Sequence, residues 1–237
     1  MSDKFNFQKG HRQKFTKVKT AKGRKASSTK WLQRQLNDPY TLLAKKESYR
    51  SRAAYKLLEI DKKFKFIKDA KVILDLGCAP GGWLQICQKI NPNAHIIGVD
   101  IQKMAAIENS CFIQGDFLSI DIQEQIIMLL NNDKKNNILK IDLIISDISP
   151  PTCGHSNTDH LRLVNVVENI IMFNNKYLNT HGNFLCKVFL GAEIDILITK
   201  LRSLFRKVKL FKPDASRKES KEQYLICLDY KKPDNEC

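Results

Sequence analysis

A lysine stands inside one of the most apolar stretches of this sequence. Lys187 lies in the run 184–190, between Gly182 and Gly191, and such a run is typical of a buried strand. A buried ammonium loses hydration that apolar neighbours cannot replace, so it requires a carboxylate partner or gives up its proton. A neutral lysine can act as a base. The alternative is that the aliphatic stem lies along the strand while the ammonium reaches water at its end.

Carboxylates occur where other predicted strands end. The glycine-rich segment Asp75–Trp83 follows a short apolar run, and its glycines allow close backbone approach at the start of the next helix. It does not match G-x-G-x-x-G, and Pro80 disfavours an NAD site. Asp100 is placed to bind ribose hydroxyls and Asp116 to reach an adenine amino group. Either acid alone can be a helix cap or a turn residue, but the ordered set predicts a nucleoside site.

A further acid, Asp147, follows the fourth predicted strand. Pro150 and Pro151 force the chain out of regular structure just after it, above the sheet edge where ligands bind in this architecture. We expect Asp147 to share a crevice with Lys187 and to orient it. A charged acid also raises the pKa of a lysine, so a base there needs desolvation or a second cation, for which Lys56 is a candidate.

Strands and helices must alternate to bring these residues to one edge. Short apolar runs predict strands at 72–74, 95–99, 111–113, 141–145, around Lys187, and late in the chain near 208–210 and 223–228. Three- and four-residue apolar spacing predicts helices at about 48–66, 82–89, 159–178 and 193–205. The alternation predicts a doubly wound α/β fold with a parallel sheet covered on both faces. The Lys- and Asn-rich segment 131–140 is typical of a loop.

Charge and composition restrict the partners. The 237 residues carry a formal net charge of +15, which attracts polyanions such as nucleic acid or an anionic membrane. No apolar run is long enough to span a bilayer, and none follows the basic N-terminus as a secretory signal requires. We therefore expect RNA or DNA as partner and no membrane.

The N-terminal segment differs from the rest. Residues 1–30 are rich in Lys and Arg against a single acid, Asp3, and predict a disordered basic arm before a single domain at 31–237. The arm either contacts RNA phosphates or is a solubilising tail or an organelle-targeting peptide. The seven cysteines are scattered and never form C-x-x-C, which argues against a zinc site and against disulfides and favours a reducing, cytosol-like compartment.

Four separated elements together resemble the FtsJ-type ribose 2′-O-methyltransferases. The Lys-Asp-Lys-Glu tetrad of that family falls on Lys56, Asp147, Lys187 and Glu222. Glu222 is chosen over Glu219 because residues 220–224 are similar to the family element S-[RK]-E-x-Y. The resemblance covers about 29–230. Departures are Ile-Ser-Pro-Pro at 148–151 for a more usual Met-Ala-Pro-Asn, which affects the loop contacts, and Cys78 for a common alanine.

The resemblance implies a Rossmann-like methyltransferase fold, mostly parallel with one antiparallel late strand, and S-adenosylmethionine (SAM) as methyl donor without a metal. By position it places the donor against Gly81 and Trp83 on the methionine side, Asp100 at the ribose, Asp116 at the adenine and Asp147 near the methyl group. It implies that Lys187 is the general base, oriented with Lys56 by the two carboxylates.

The resemblance also implies a partner: a uridine of large-subunit ribosomal RNA, read in the assembled subunit, in a bacterial cytoplasm rather than an organelle. The segment Trp31–Tyr40 favours this ribosomal type over relatives that act on transfer RNA or on an RNA cap. We expect a monomer in which Arg50 and Arg52 help the arm to contact phosphates. An RNA-binding assembly factor without catalysis is a competing hypothesis, and an NAD oxidoreductase is a more distant one.

Overall fold

The computed structural model describes residues 16–18, 23, 25–131, 140–151, 153–191 and 193–232. The chain divides into two compact units, with the boundary in the sequence between Ser48 and Tyr49. Most of the predicted basic arm and most of the predicted loop at 131–140 lie outside the described residues. The disorder of the arm and the single domain at 31–237 stay predictions.

The first unit contains two short helices, α1 (Ala26–Leu36) and α2 (Pro39–Lys46). Helix α2 begins where the sequence supplies a cap, because the Asp38 carboxylate accepts a 3.0 Å hydrogen bond from the Thr41 amide and Pro39 takes the first helical position. Helix α1 begins before residue 30, so the last residues of the predicted arm are helical rather than disordered.

The second unit alternates strands and helices as predicted. Its elements are α3 (Ala53–Phe64), β1 (Val72–Leu76), α4 (Gly82–Ile90), β2 (His95–Asp100), β3 (Ser110–Gln114), α5 (Ile120–Leu130), β4 (Ile141–Ser146), α6 (Ser156–Tyr177), β5 (Leu178–Phe189), α7 (Ile194–Leu204), β6 (Phe205–Phe211) and β7 (Glu222–Tyr230). Helix α5 was not predicted. Strand β5 begins directly after α6, earlier than the predicted start at Gly182.

The seven strands form one sheet in the order β3-β2-β1-β4-β5-β7-β6. Strands β1 to β5 pair in parallel, and β7 runs antiparallel to both β5 and β6. The predicted fold class, a mostly parallel sheet with one antiparallel late strand, is confirmed. The order reverses between β1 and β4, and in such sheets ligands bind beyond the carboxyl ends of the strands at that point.

Two apolar clusters cover the sheet. One contains alternate residues of the central strands together with apolar residues of α5, α6 and α7, and the other packs the opposite face against α3 and α4. In β1, Leu74 and Leu76 join the first cluster while Ile73 joins the second, which follows from the two-residue alternation of a strand. No helix in the described part of the chain is long and apolar enough to cross a membrane.

Candidate active site

The four residues of the predicted tetrad meet at the carboxyl edge of the sheet as two ion pairs. Lys187, near the end of β5, places its Nζ 3.1 Å from Asp147 Oδ1 and donates a 2.6 Å hydrogen bond to the main-chain oxygen of Asp147. Lys56 of α3 places its Nζ 2.7 Å from Oε1 of Glu222, the first residue of β7. Each lysine therefore has its own carboxylate partner.

The surroundings of Lys187 decide between the two interpretations of its strand. Only 5% of the residue is accessible, so its ammonium does not extend into water. The Asp147 carboxylate and main-chain oxygen replace the lost hydration. The buried lysine is held by a half-buried carboxylate at the cavity wall, which is the arrangement that a functional lysine requires.

Tyr224 connects the two ion pairs, and sequence reasoning missed this role. Its fully buried hydroxyl donates a 2.8 Å hydrogen bond to Asp147 Oδ1, lies 3.3 Å from Glu222 Oε1, and accepts a 3.2 Å hydrogen bond from Lys56 Nζ. Tyr224 follows Glu222 by two residues in a strand, so the alternation of strand side chains places both on one face. That spacing was the signal in the sequence.

The electrostatics of the site keep the carboxylate charged and the phenol neutral. Burial raises the pKa of Asp147, but the charges of Lys187 and Lys56 and hydrogen bonds from Tyr224 and Lys187 outweigh it and leave that pKa below its ordinary value. Burial raises the pKa of Tyr224 well above its ordinary value, and the charges of Asp147 and Glu222 raise it further. The hydroxyl thus keeps its proton and donates it in the hydrogen bond to Asp147.

The segment 212–221 between β6 and β7 is fixed against α3. Glu59 accepts a 3.0 Å hydrogen bond from the Ala215 amide, and Arg52 donates to the Ala215 carbonyl. The buried Ser216 hydroxyl donates a 2.9 Å hydrogen bond to Glu222 Oε1, whereas Glu219 is exposed. The geometry places Glu222 rather than Glu219 in the tetrad.

The two arginines before α3 have a structural use. Arg50 donates hydrogen bonds of 2.6 Å to the Ala105 carbonyl and 2.7 Å to the Ala106 carbonyl, and Arg52 donates to the Ala215 carbonyl. These guanidinium groups hold loops of the same unit through bonds to main-chain oxygens, and their contact with RNA phosphates stays a prediction.

A cavity of about 370 Å³ opens beside the tetrad at the point where the strand order reverses. Its walls combine main chain and acids with apolar side chains: Gly77, Ala79, Val99, Asp100, Ile101, Gln102, Gly115, Asp116, Phe117, Leu118, Asp147, Ile148, Ser149, Pro150, Pro151 and Val166. The structure thus brings three predicted acids, Asp100, Asp116 and Asp147, to one cavity.

Two of these acids also order the loops around the cavity. Asp100, the last residue of β2, accepts hydrogen bonds of 2.8 Å from the Ala79 amide and 2.7 Å from the Gln102 amide. Asp116 accepts a 3.0 Å hydrogen bond from the Leu118 amide. A carboxylate oxygen accepts more than one hydrogen bond, so these contacts leave acceptor sites for a ligand.

Gly81 and Trp83, which were predicted to contact the methionine part of SAM, do not line the cavity. Trp83 is buried, its indole Nε1 donates a 2.8 Å hydrogen bond to the Ala53 carbonyl, and its ring packs 5.8 Å from that of Tyr224. Gly81 precedes α4 with φ of 108°, and its amide bonds the Cys78 carbonyl. A contact of Gly81 or Trp83 with SAM would have to involve main-chain atoms, and it stays a prediction.

The glycine turn packs closely against the loop that follows β4. Gly77 has φ of 77°, and a Cβ there would lie 2.8 Å from the Ile148 amide nitrogen, so the turn accepts no side chain. Beside the turn, the buried Ser51 hydroxyl faces Gly82 without a protein partner. The glycine turn, the acids and the apolar walls of the cavity fit a compact nucleoside with a charged polar tail.

One buried acid next to the site has no role in the tetrad. Both carboxyl oxygens of Asp75, in the centre of β1, lack a hydrogen-bond partner, and the residue is fully buried. Burial raises its pKa well above the ordinary value, and the charges of Asp147 and Asp100 raise it further. The described residues contain no group of three or more His, Cys, Asp or Glu side chains placed to hold a metal ion.

Comparison with known proteins gives a consistent family. The model of the FtsJ-like methyltransferase family matches residues 49–230. Ribosomal RNA large subunit methyltransferase E of Zymomonas mobilis is 44% identical over 215 residues, which cover 91% of this chain and 94% of that protein. The protein of the same name from Rickettsia africae is 42% identical over 228 residues, covering 94% and 97%.

Solved structures agree at the level of the fold. A ribosomal RNA methyltransferase from Plasmodium falciparum superposes with a TM-score of 0.65 at 35% identity, covering 77% of this chain and 98% of that one. A hemolysin from Lactococcus lactis superposes with a TM-score of 0.52 at 16% identity, covering 78% and 89%, and this likeness concerns the fold alone.

Proposed function

The chain belongs to the FtsJ-like methyltransferase family, and from this premise we propose that it methylates a ribose 2′-hydroxyl of large-subunit ribosomal RNA. S-adenosylmethionine is the methyl donor. The observation that carries the proposed chemistry is the buried Lys187–Asp147 pair, joined through Tyr224 to the pair Lys56–Glu222 beside the cavity.

The cavity is the proposed SAM site. In this site Asp100 would hold the ribose hydroxyls, Asp116 the adenine amino group and the glycine turn the methionine end, with Asp147 on the side of the methyl group. When bound, SAM supplies an electrophilic methyl group on a positively charged sulfur. Every one of these contacts is assigned to a side chain or backbone segment that borders the cavity or the turn.

Lys187 is the proposed general base. A ribose hydroxyl is a weak nucleophile, and a positioned base that removes its proton typically contributes 10²–10⁴-fold to the rate. Lys56 lies in the same hydrogen-bonded network, because the Tyr224 hydroxyl joins it to Asp147. Asp147 orients Nζ, and Glu222 with Tyr224 holds Lys56 in place.

The substrate assignment is supported by the relatives and by charge. The curated relatives are named for large-subunit ribosomal RNA, and the net charge of +15 favours an RNA partner. We infer that the target is a uridine in the assembled subunit and that the enzyme acts in the cytoplasm. One chain supplies all four residues of the tetrad, so we also infer that it acts as a monomer.

Methyl transfer from labelled SAM tests this function. The purified protein is incubated with large subunits from cells that lack the modification, and the RNA is digested and identified by mass spectrometry. The expected product is a single 2′-O-methylated uridine. Methylation of a base, or transfer to transfer RNA or capped RNA but not to subunits, would refute the assignment, and binding without any transfer would favour an assembly factor.

A further inference from the structure

The outer strand of the sheet presents lysines on the side that faces α3. In the β6–β7 pair, Phe211 is opposite Tyr224, Lys209 opposite Ile226 and Lys207 opposite Leu228. Directly opposed residues of an antiparallel pair project to the same face. Tyr224 and Ile226 belong to the apolar cluster under α3, so Lys207 and Lys209, both exposed, lie on that face of the edge strand.

A third lysine joins this row to the active site. Lys63 Nζ lies 4.3 Å from the centre of the Phe211 ring, and Phe211 is opposite Tyr224, which connects the two ion pairs of the tetrad. Lys63 and Lys56 are two turns apart on α3, so they share a helix face about 10 Å from each other along the axis. Lys63, Lys207 and Lys209, here called the β6 lysine face, thus extend from the tetrad along the edge of the sheet.

The charge of this face is not balanced by its neighbours in the strands. Ile226 and Leu228, which oppose the two β6 lysines, are apolar, and Glu222 at the other end of the same face of β7 is paired with Lys56. A row of exposed lysines beside an aromatic ring is typical of a surface that follows a nucleic-acid backbone.

We propose that the β6 lysine face binds phosphates of the RNA strand that adjoins the methylated nucleotide. This inference rests on the proposed function, because it concerns how the RNA substrate continues beyond the active site. Lysines on an edge strand can also serve to prevent strand pairing between copies of a chain. In that case, removal of the lysines would cause self-association and leave KM for subunits unchanged.

The test compares the double variant Lys207→Gln/Lys209→Gln with wild type in methyl transfer from labelled SAM to large subunits at several salt concentrations. Each phosphate contact to a single strand contributes about 0.7 to the slope of log affinity against log salt, so we expect the slope of log(kcat/KM) to become shallower by about 1.4. KM for subunits rises, while kcat at saturation and the Kd for SAM stay unchanged. Lys63→Gln, on a helix surface, is expected to lower the slope by about 0.7.

The matched control is Lys176→Gln/Lys200→Gln, which removes the same charge from exposed positions of α6 and α7, on the opposite side of the sheet. A slope equal to wild type in both double variants, or an equal change in both, would overturn the proposal. So would self-association of the β6 variant in size-exclusion chromatography with unchanged KM. A wild-type protein without methyl-transfer activity would instead overturn the proposed function. If the Lys207→Gln/Lys209→Gln variant does not fold, the salt dependence of Lys63→Gln tests the proposal.

Discussion

Removal of one hydroxyl should weaken both ion pairs of the tetrad. In Tyr224→Phe the ring can keep its place in the core beside Trp83, while the donor to Asp147 and the acceptor for Lys56 are lost. Asp147 then keeps Lys187 as partner but loses one of the hydrogen bonds that lower its pKa. The substitution thus tests whether Tyr224 couples the pairs or only fills space.

The size of the effect follows from the contacts. A hydrogen bond to a charged group contributes about 1.5–3 kcal/mol, so the free energy of unfolding should fall by about 2 kcal/mol. For a domain of this size that corresponds to a fall in Tm of about 4–8 °C. If the whole loss appears as misorientation of Lys187 in the transition state, kcat falls by at most about 30-fold.

The assay pairs thermal unfolding with single-turnover methyl transfer, and Tyr230→Phe is its control. Tyr230 lies on the same strand, is buried, and donates a 3.0 Å hydrogen bond to Asn175 away from the tetrad. We expect the control to lose about 1 kcal/mol of stability and no activity. Equal kcat in both variants would refute the coupling role of Tyr224, and so would a Tyr224→Phe protein as stable as wild type.

Three further outcomes are expected. Burial raises the pKa of Asp75, so the folded state retains a proton that the unfolded state loses above its ordinary pKa of 3.8. The free energy of unfolding should therefore fall as pH rises from 5, by up to about 1.4 kcal/mol per pH unit. In urea unfolding, Asp75→Asn should show a shallower dependence of that free energy on pH. Asp100→Ala should weaken SAM binding by about tenfold or more in calorimetry, through the lost ribose contact and a looser glycine turn, and unchanged binding would remove Asp100 from the site. Burial raises the pKa of the Cys186 thiol, so alkylation followed by mass spectrometry should label exposed Cys153 in the native protein and spare Cys186; the reverse order would contradict the fold.

Much of the fold was predictable because apolar runs and turn residues coincide. Strand β1 follows from a short apolar run that leads into the glycine turn, and Asp100 and Asp147 fall where strands end. Helix α5 (Ile120–Leu130) was missed although its buried residues, Ile122, Ile126 and Leu130, repeat at four-residue spacing, because exposed Ile120 and Met128 obscure that stripe. The early start of β5 was missed because no glycine separates it from α6.

The site was predictable by residue but not by contact. The resemblance selected Lys56 and Glu222, yet their pairing depends on how α3 packs across the end of β7, which is a tertiary property. The role of Tyr224 depends likewise on the register that sets it opposite Lys187. The bonds of Arg50 to main-chain oxygens were not predictable, because charge alone does not distinguish a free guanidinium from one that holds a loop.

The central claim is that Lys187 removes the proton from the ribose hydroxyl. Its most direct measurement is single-turnover methyl transfer by Lys187→Ala and Lys187→Arg, with SAM binding followed by calorimetry and Lys176→Ala as an exposed control. We expect a loss of about 10²–10⁴-fold in both Lys187 variants with SAM binding retained, since alanine has no base and arginine cannot give up its proton. Turnover near the wild-type rate in Lys187→Arg would contradict it.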